Sequence, residues 1–111
     1  MARRRWTSPA LNDLRHAIEW IDEHVGAAAA AATTVEIREA ARRAAARPTL
    51  YAWVGSLHPP LAVLPSTVRR VLTRTRRYVV FYRYDRAAHE IVILAVRGTA
   101  QLPPRPDELG T

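Results

Sequence analysis

The chain contains no cysteine and no lysine, and only one methionine, one phenylalanine and four glycines. Without cysteine there can be no disulfide, no zinc–thiolate site and no thiol nucleophile. Long hydrophobic runs are missing too. The alanine run from Ala27 to Ala32 is too short and too weakly hydrophobic to span a bilayer. The basic opening Met1-Ala2-Arg3-Arg4-Arg5-Trp6 is not followed by the apolar segment of a secretion signal. The expectation is a cytoplasmic protein with no membrane partner. The familiar catalytic signatures are also absent: no HExxH, no phosphate loop, no GxGxxG and no GxSxG. Serine is confined to Ser8, Ser56 and Ser66, and no Ser/His/Asp grouping is indicated. None of the histidines His16, His24, His58 and His89 falls into a metal-ligand spacing, so each reads as a structural residue. Neither a metal nor a cofactor is expected.

Arginine is abundant. All 17 cationic side chains are Arg, set against 10 acids, for a formal charge of +7 and a pI near 11.2. The company of many Ala and Pro codons explains why the cation is Arg and not Lys. It does not explain the excess of base over acid, which favours an anionic partner such as nucleic acid or an acidic protein. With 111 residues and 49% apolar content, the chain is expected to form one domain with a single modest core.

Patterning then sets the element order. Arg3 to Thr7 reads as a short strand. Ser8-Pro9 is a helix start, with Ser as cap and Pro at the first helical position. Leu11, Leu14, Ile18, Ile21 and Val25 recur at helical spacing, and Gly26 supplies the stop. A second helix is predicted to Ala46, with Ala30, Thr34, Ile37, Ala41 and Ala44 inward, and Arg47-Pro48 closes it. Residues 48–66 read as a proline-rich but apolar loop that should lie over the core. Strands follow over Thr67–Thr73, Arg77–Tyr84 and Glu90–Arg97, the last apolar on both faces and so placed centrally. Asp85 to His89 is the turn between the last two. The fold class is α+β: an N-terminal strand, a helical hairpin, then a three-stranded antiparallel meander forming one small sheet. The domain occupies residues 1–100, and the Pro-rich tail 101–111 is expected to be disordered.

Charge is distributed unevenly along this order. Residues 1–64 carry a net +2, residues 65–97 a net +6 and the tail a net −1. Strand alternation places Arg77, Val79, Phe81 and Arg83 on one face and Tyr78, Val80, Tyr82 and Tyr84 on the other. Arginines and tyrosines therefore do not share one surface, which weakens a base-stacking reading.

The segments Arg4-Arg-Trp-Thr-Ser-Pro-Ala-Leu-Asn-Asp-Leu14 and Ile18-Glu-Trp-Ile21 resemble the opening of the RelE/ParE superfamily of toxins from type II toxin–antitoxin modules. Val68-Arg-Arg-Val-Leu72, Tyr78-Val-Val-Phe-Tyr82 and Ile91-Val-Ile-Leu-Ala-Val96 resemble its closing strands. The likeness is greater to the ParE branch. It implies a non-enzymatic toxin that inhibits DNA gyrase and is neutralised by a cognate antitoxin, an acidic protein that wraps a segment around it. The RelE branch implies the alternative, a ribosome-dependent mRNA endoribonuclease, in which Arg70, Arg77, Arg83 and Arg97 would be the catalytic residues holding phosphate. A degenerate, non-toxic binding module is the third reading. Both branches often end on His-x-x-Arg, where this chain has Arg97 and Ala100. The contacts implied for antitoxin or target are Leu11, Trp20, Trp53, Arg70, Arg77, Arg83 and Arg97, although for the first three core packing is the favoured reading.

Overall fold

The computed structural model describes residues 1–51, 67–101 and 104–109. Arg3–Trp6 forms strand β1 and leads directly into helix α1, Ser8–His24. The cap is Thr7, one residue before the expected Ser8. Its Oγ1 accepts the Ala10 N–H at 3.3 Å, and the same hydroxyl donates to the Ile93 carbonyl at 2.9 Å. Thr7 wins because its side chain closes the helix and ties it to the sheet together, while Ser8 is exposed.

The apolar stripe of α1 is buried at Leu14 and Ile21 and partly at Ile18. Its two ends are not: Leu11 is 49% and Val25 67% exposed. Helix α2 runs Ala27–Ala46 and buries Ala30, Ile37, Ala40, Ala41, Ala44 and Ala45. Five of these six are alanine, which lets the helix lie close against its neighbours. Thr34, expected inward, is half-buried and turns its hydroxyl back to the Ala30 carbonyl at 2.9 Å. Between the helices, Val25 and Gly26 both donate their N–H to the Ile21 carbonyl, at 2.8 and 2.9 Å. Gly26 has φ +135°, a region that side-chain-bearing residues rarely adopt.

Strands β2 (Arg69–Leu72), β3 (Tyr78–Asp85) and β4 (Glu90–Gly98) complete the sheet, in the order β1-β4-β3-β2. The last three strands form the antiparallel meander, and β1 joins β4 in parallel, with Arg3 opposite Glu90 and Trp6 opposite Ile93. The strand that is apolar throughout is thus an interior one. Pairing shifts between Phe81 opposite Ala95 and Tyr82 opposite Ile93, so Leu94 is the extra residue of a bulge. Leu94 and Ala95 consequently pack in one cluster with Val68, Val79, Phe81 and Val92. The other cluster joins Val71, Val80, Tyr82, Ile91, Ile93 and Val96 to the helices, with Tyr78 and Tyr84 at its margin. The tyrosines of β3 therefore face the helices, on the alternation read from the sequence. Burial raises the Tyr82 phenol well above its usual range, and its hydroxyl donates to the Pro48 carbonyl at 2.8 Å.

Beyond α2 the chain is held by Arg69, whose Nη1 donates to the Tyr51 carbonyl at 2.6 Å. The rest of the proline-rich loop, residues 52–66 with Trp53, lies outside the described residues. In the tail, where composition predicts disorder, Pro106–Leu109 forms a 3-10 turn.

The conformation at Gly26 sets a specific expectation. A Cβ there would meet nothing within 4 Å, so Gly26→Ala carries a purely backbone penalty. It should cost about 1–2 kcal/mol. Urea unfolding measures this, and a loss below about 0.5 kcal/mol, typical of neutral surface changes, would refute it.

Candidate functional site

Strand β1 covers the edge of β4 only as far as Ile93. Past that point the chain has turned into α1, and backbone groups of β4 would face an empty edge. Two residues at the start of α1 fill it. Thr7 donates its N–H to the Ile93 carbonyl at 3.1 Å, and the Asp13 carboxylate accepts the Val96 N–H at 3.0 Å. The same carboxylate oxygen takes a short hydrogen bond from Arg97 Nη1. Arg97 Nη1 also reaches its neighbour's carbonyl at Val96, 3.2 Å away, while Nη2 donates to Glu108 at 3.1 Å. The backbone N–H of Arg105, together with the charges of Arg97 and Arg105, holds the Glu108 carboxyl below its ordinary value. Arg97 thus joins α1, β4 and the 3-10 turn, with only 17% of its side chain exposed.

This tie sits at one end of a groove of about 1000 Å³ between the helical hairpin and the end of the sheet. Ala17, Trp20 and Ile21 line it from α1, Val25 from the turn that follows, and Ala29 and Thr33 from α2. Arg77, Tyr78, Val96 and residues 98–101 line it from the sheet side. Trp20 is 58% exposed, a large apolar ring left in water at the rim. It stacks on His24 with centroids 4.3 Å apart and planes 13° apart, and His24 Nδ1 lies 2.8 Å from the Trp20 carbonyl. The indole is held in place by its own helix, one turn on.

Of the residues singled out from the sequence, the groove gathers Trp20, Arg77 and Arg97. Leu11 is exposed on α1 but lines no part of the groove. Arg83 is half-buried on β3, paired with Val92. Arg70 lies on β2 in a separate cleft with Arg43, Arg74 and Arg76. The four candidate arginines are therefore not arranged around one point. Sequence reasoning missed Asp13 as a site residue, although it stands in the Ala-Leu-Asn-Asp-Leu segment that carried the resemblance. The available signal was an acid at the edge of an apolar helical stripe, spaced to face the sheet. Ala29, Thr33 and Tyr78 gave no such signal, since each reads as ordinary packing. Among the described residues no cluster of His, Asp and Glu could hold a metal ion, and no helix is long and apolar enough to cross a membrane.

Removing the Asp13 carboxylate strands two donors, the Val96 N–H and the Arg97 guanidinium. Asp13→Ala should lower stability by about 2 kcal/mol, more than an exposed ion pair contributes. Adding Arg97→Ala to it should cost less than the sum of the two single changes, because the stranded charge is gone. Additive losses in denaturant melts would show that the two side chains act separately.

Over residues 4–103 the chain matches the ParE toxin of type II toxin–antitoxin systems, parDE. No curated protein sequence matches it. Among solved structures it superposes on a chain of the chromosomal ParDE toxin–antitoxin system from P. aeruginosa. The TM-score is 0.68 at 20% identity, covering 88% of this chain and 96% of that one, a likeness of fold. With nearly its whole length matched and its sheet and hairpin superposing, the chain belongs to the ParE toxin family of type II toxin–antitoxin systems.

Proposed function

We propose that this chain is a toxin that acts by protein–protein inhibition of DNA gyrase, and that a cognate antitoxin neutralises it by laying an acidic, partly apolar segment into the groove beside Trp20. The observation that carries this reading is the dispersal of the four candidate arginines. A ribonuclease that uses the RNA 2′-hydroxyl needs cations converging on one crowded phosphate, with a base and an acid beside it. Here Arg97 is engaged by Asp13 and Glu108, Arg70 lies in another cleft and Arg83 lines neither site. The groove instead combines an exposed tryptophan, apolar walls and one flanking guanidinium, Arg77. Those are the features of a protein-binding surface, where aromatic anchors supply affinity and charge steers encounter.

Two measurements test the reading. Labelled thymidine and labelled amino acid are followed in the minutes after the chain is induced alone. DNA synthesis should stop first, and purified protein should inhibit gyrase supercoiling. If protein synthesis stops first, the ribonuclease reading replaces this one. For the groove, Trp20→Ala should weaken binding of the cognate antitoxin by about 2 kcal/mol, a tenfold or greater loss in titration calorimetry. Because the ring is exposed, unfolding stability should stay within about 0.5 kcal/mol of the parent. Undiminished binding would place the antitoxin elsewhere.

A further inference from the structure

A second concavity, of about 440 Å³, straddles the edge strand β2 on a different part of the surface. It is lined by Arg43, Tyr51, Arg70, Thr73, Arg74 and Arg76, with Leu72 between them. Arg43 and Arg74 share one carboxylate, Glu39, at 3.0 and 3.1 Å, and Arg43 also donates to the Leu72 carbonyl at 2.8 Å. Partial burial opposes the Glu39 charge, but the hydrogen bonds and charges of Arg43 and Arg74 outweigh it and hold that carboxyl below its ordinary value. Glu36, one turn earlier on α2, accepts from the Thr75 N–H and hydroxyl at 3.2 and 3.3 Å. No side-chain hydrogen bond or ion pair of Arg70 or Arg76 is made among the described residues. Arg70 is half-buried, and the loss of hydration depresses its pKa with no acid in compensation. Arg76 is exposed at φ +62°, in the left-handed region, and holds the β2–β3 turn through its N–H to the Thr73 carbonyl at 2.9 Å.

A partly desolvated guanidinium without a counter-charge is costly unless something anionic completes it. Arg70 is such a group, and together with the exposed Arg76 and beside Tyr51 in an open cleft it presents planar donors that match the oxygens of a phosphate. We propose that this cleft binds the phosphodiester backbone of a nucleic acid, with Arg70 and Arg76 as its phosphate contacts. An acidic peptide fits less well. Protein partners draw affinity from buried apolar anchors, and apart from Tyr51 only Leu72 offers that here. Phosphate contacts need charge and donors alone. The inference goes beyond the toxin reading and does not depend on which enzyme the toxin stops.

The test uses the full-length protein and three short labelled probes: single-stranded DNA, single-stranded RNA and duplex DNA. Binding is followed by fluorescence anisotropy across a salt series. For whichever probes bind, the variant carrying Arg70→Gln and Arg76→Asn should bind roughly tenfold more weakly at low salt. Its log–log salt slope should fall by about two, one for each phosphate that is no longer neutralised. Asparagine is chosen because it tolerates the left-handed conformation at residue 76. Arg76→Asn alone, at an exposed site, keeps the test valid should Arg70→Gln disturb folding, and its slope should fall by about one. Arg86→Gln, at the opposite end of β3, is the control for net charge and should change affinity less than about twofold. If Arg86→Gln weakens binding as much as Arg76→Asn, attraction is diffuse and the site does not exist. If no probe binds at low salt, or if polyglutamate of matched charge displaces the probes as well as nucleic acid does, the proposal is overturned.

Discussion

The Asp13 carboxylate is the contact on which the rest of the molecule depends. A parallel strand that stops early leaves its neighbour with exposed donors and acceptors, and an open edge invites pairing with another chain. Here the chain leaves the sheet after Trp6, and α1 runs on along the bare part of β4. Asp13 substitutes for the missing strand at Val96, and its charge then selects Arg97 as partner. One side chain completes a backbone pairing across 83 residues of sequence and sets the helix at a fixed distance from the strand.

Alanine does the complementary work on α2. Its buried face is built almost entirely of small side chains, so the helix supplies little bulk of its own. The bulk comes from the sheet, where Tyr82, Ile91 and Ile93 are fully buried in the same cluster. The Ala2 N–H donates to the Ala45 carbonyl at 2.9 Å, so the start of the chain is pinned to the end of this helix. Chain start, helix end and strand interior thereby form one packed unit, and the groove and the cleft lie at its margins.

Much of this was legible in the sequence, for identifiable reasons. The α2 boundaries follow from Gly26 and Arg47-Pro48, because a positive φ and a proline each stop a helix by sterics alone. The central position of β4 follows from its being apolar at every residue from Ile91 to Val96. The bulge at Leu94 does not, since an extra residue in an unbroken apolar run leaves no trace in the pattern. The cap moved from Ser8 to Thr7 because a tertiary acceptor, the Ile93 carbonyl, favoured the earlier hydroxyl. In the tail, where prolines suggest disorder, the pairing of Glu108 with Arg97 has no signal in the composition. The site was the least legible part. Arg70, Arg77, Arg83 and Arg97 look equivalent in the sequence, and only long-range contacts distinguish them.

That distinction bears on how a basic chain should be read. A formal charge of +7 suggests a uniformly attractive surface, but the arginines do different work. Arg5, Arg43 and Arg97 are tied to Glu90, Glu39 and Asp13, joining elements distant in sequence or stiffening a helix. Arg69 holds backbone carbonyls at the exit of α2. The charges of Arg5, Arg43 and Arg97 are offset by those carboxylates and offer less to a partner at a distance. Of the arginines that make no ion pair among the described residues, three line a concavity: Arg77 beside the apolar groove, Arg70 and Arg76 in the cleft at the sheet edge. The two surfaces differ in their apolar content more than in their charge. Charge steers encounter with any polyanion while apolar contact selects a protein, and that difference is the ground on which different kinds of partner are proposed for the two surfaces.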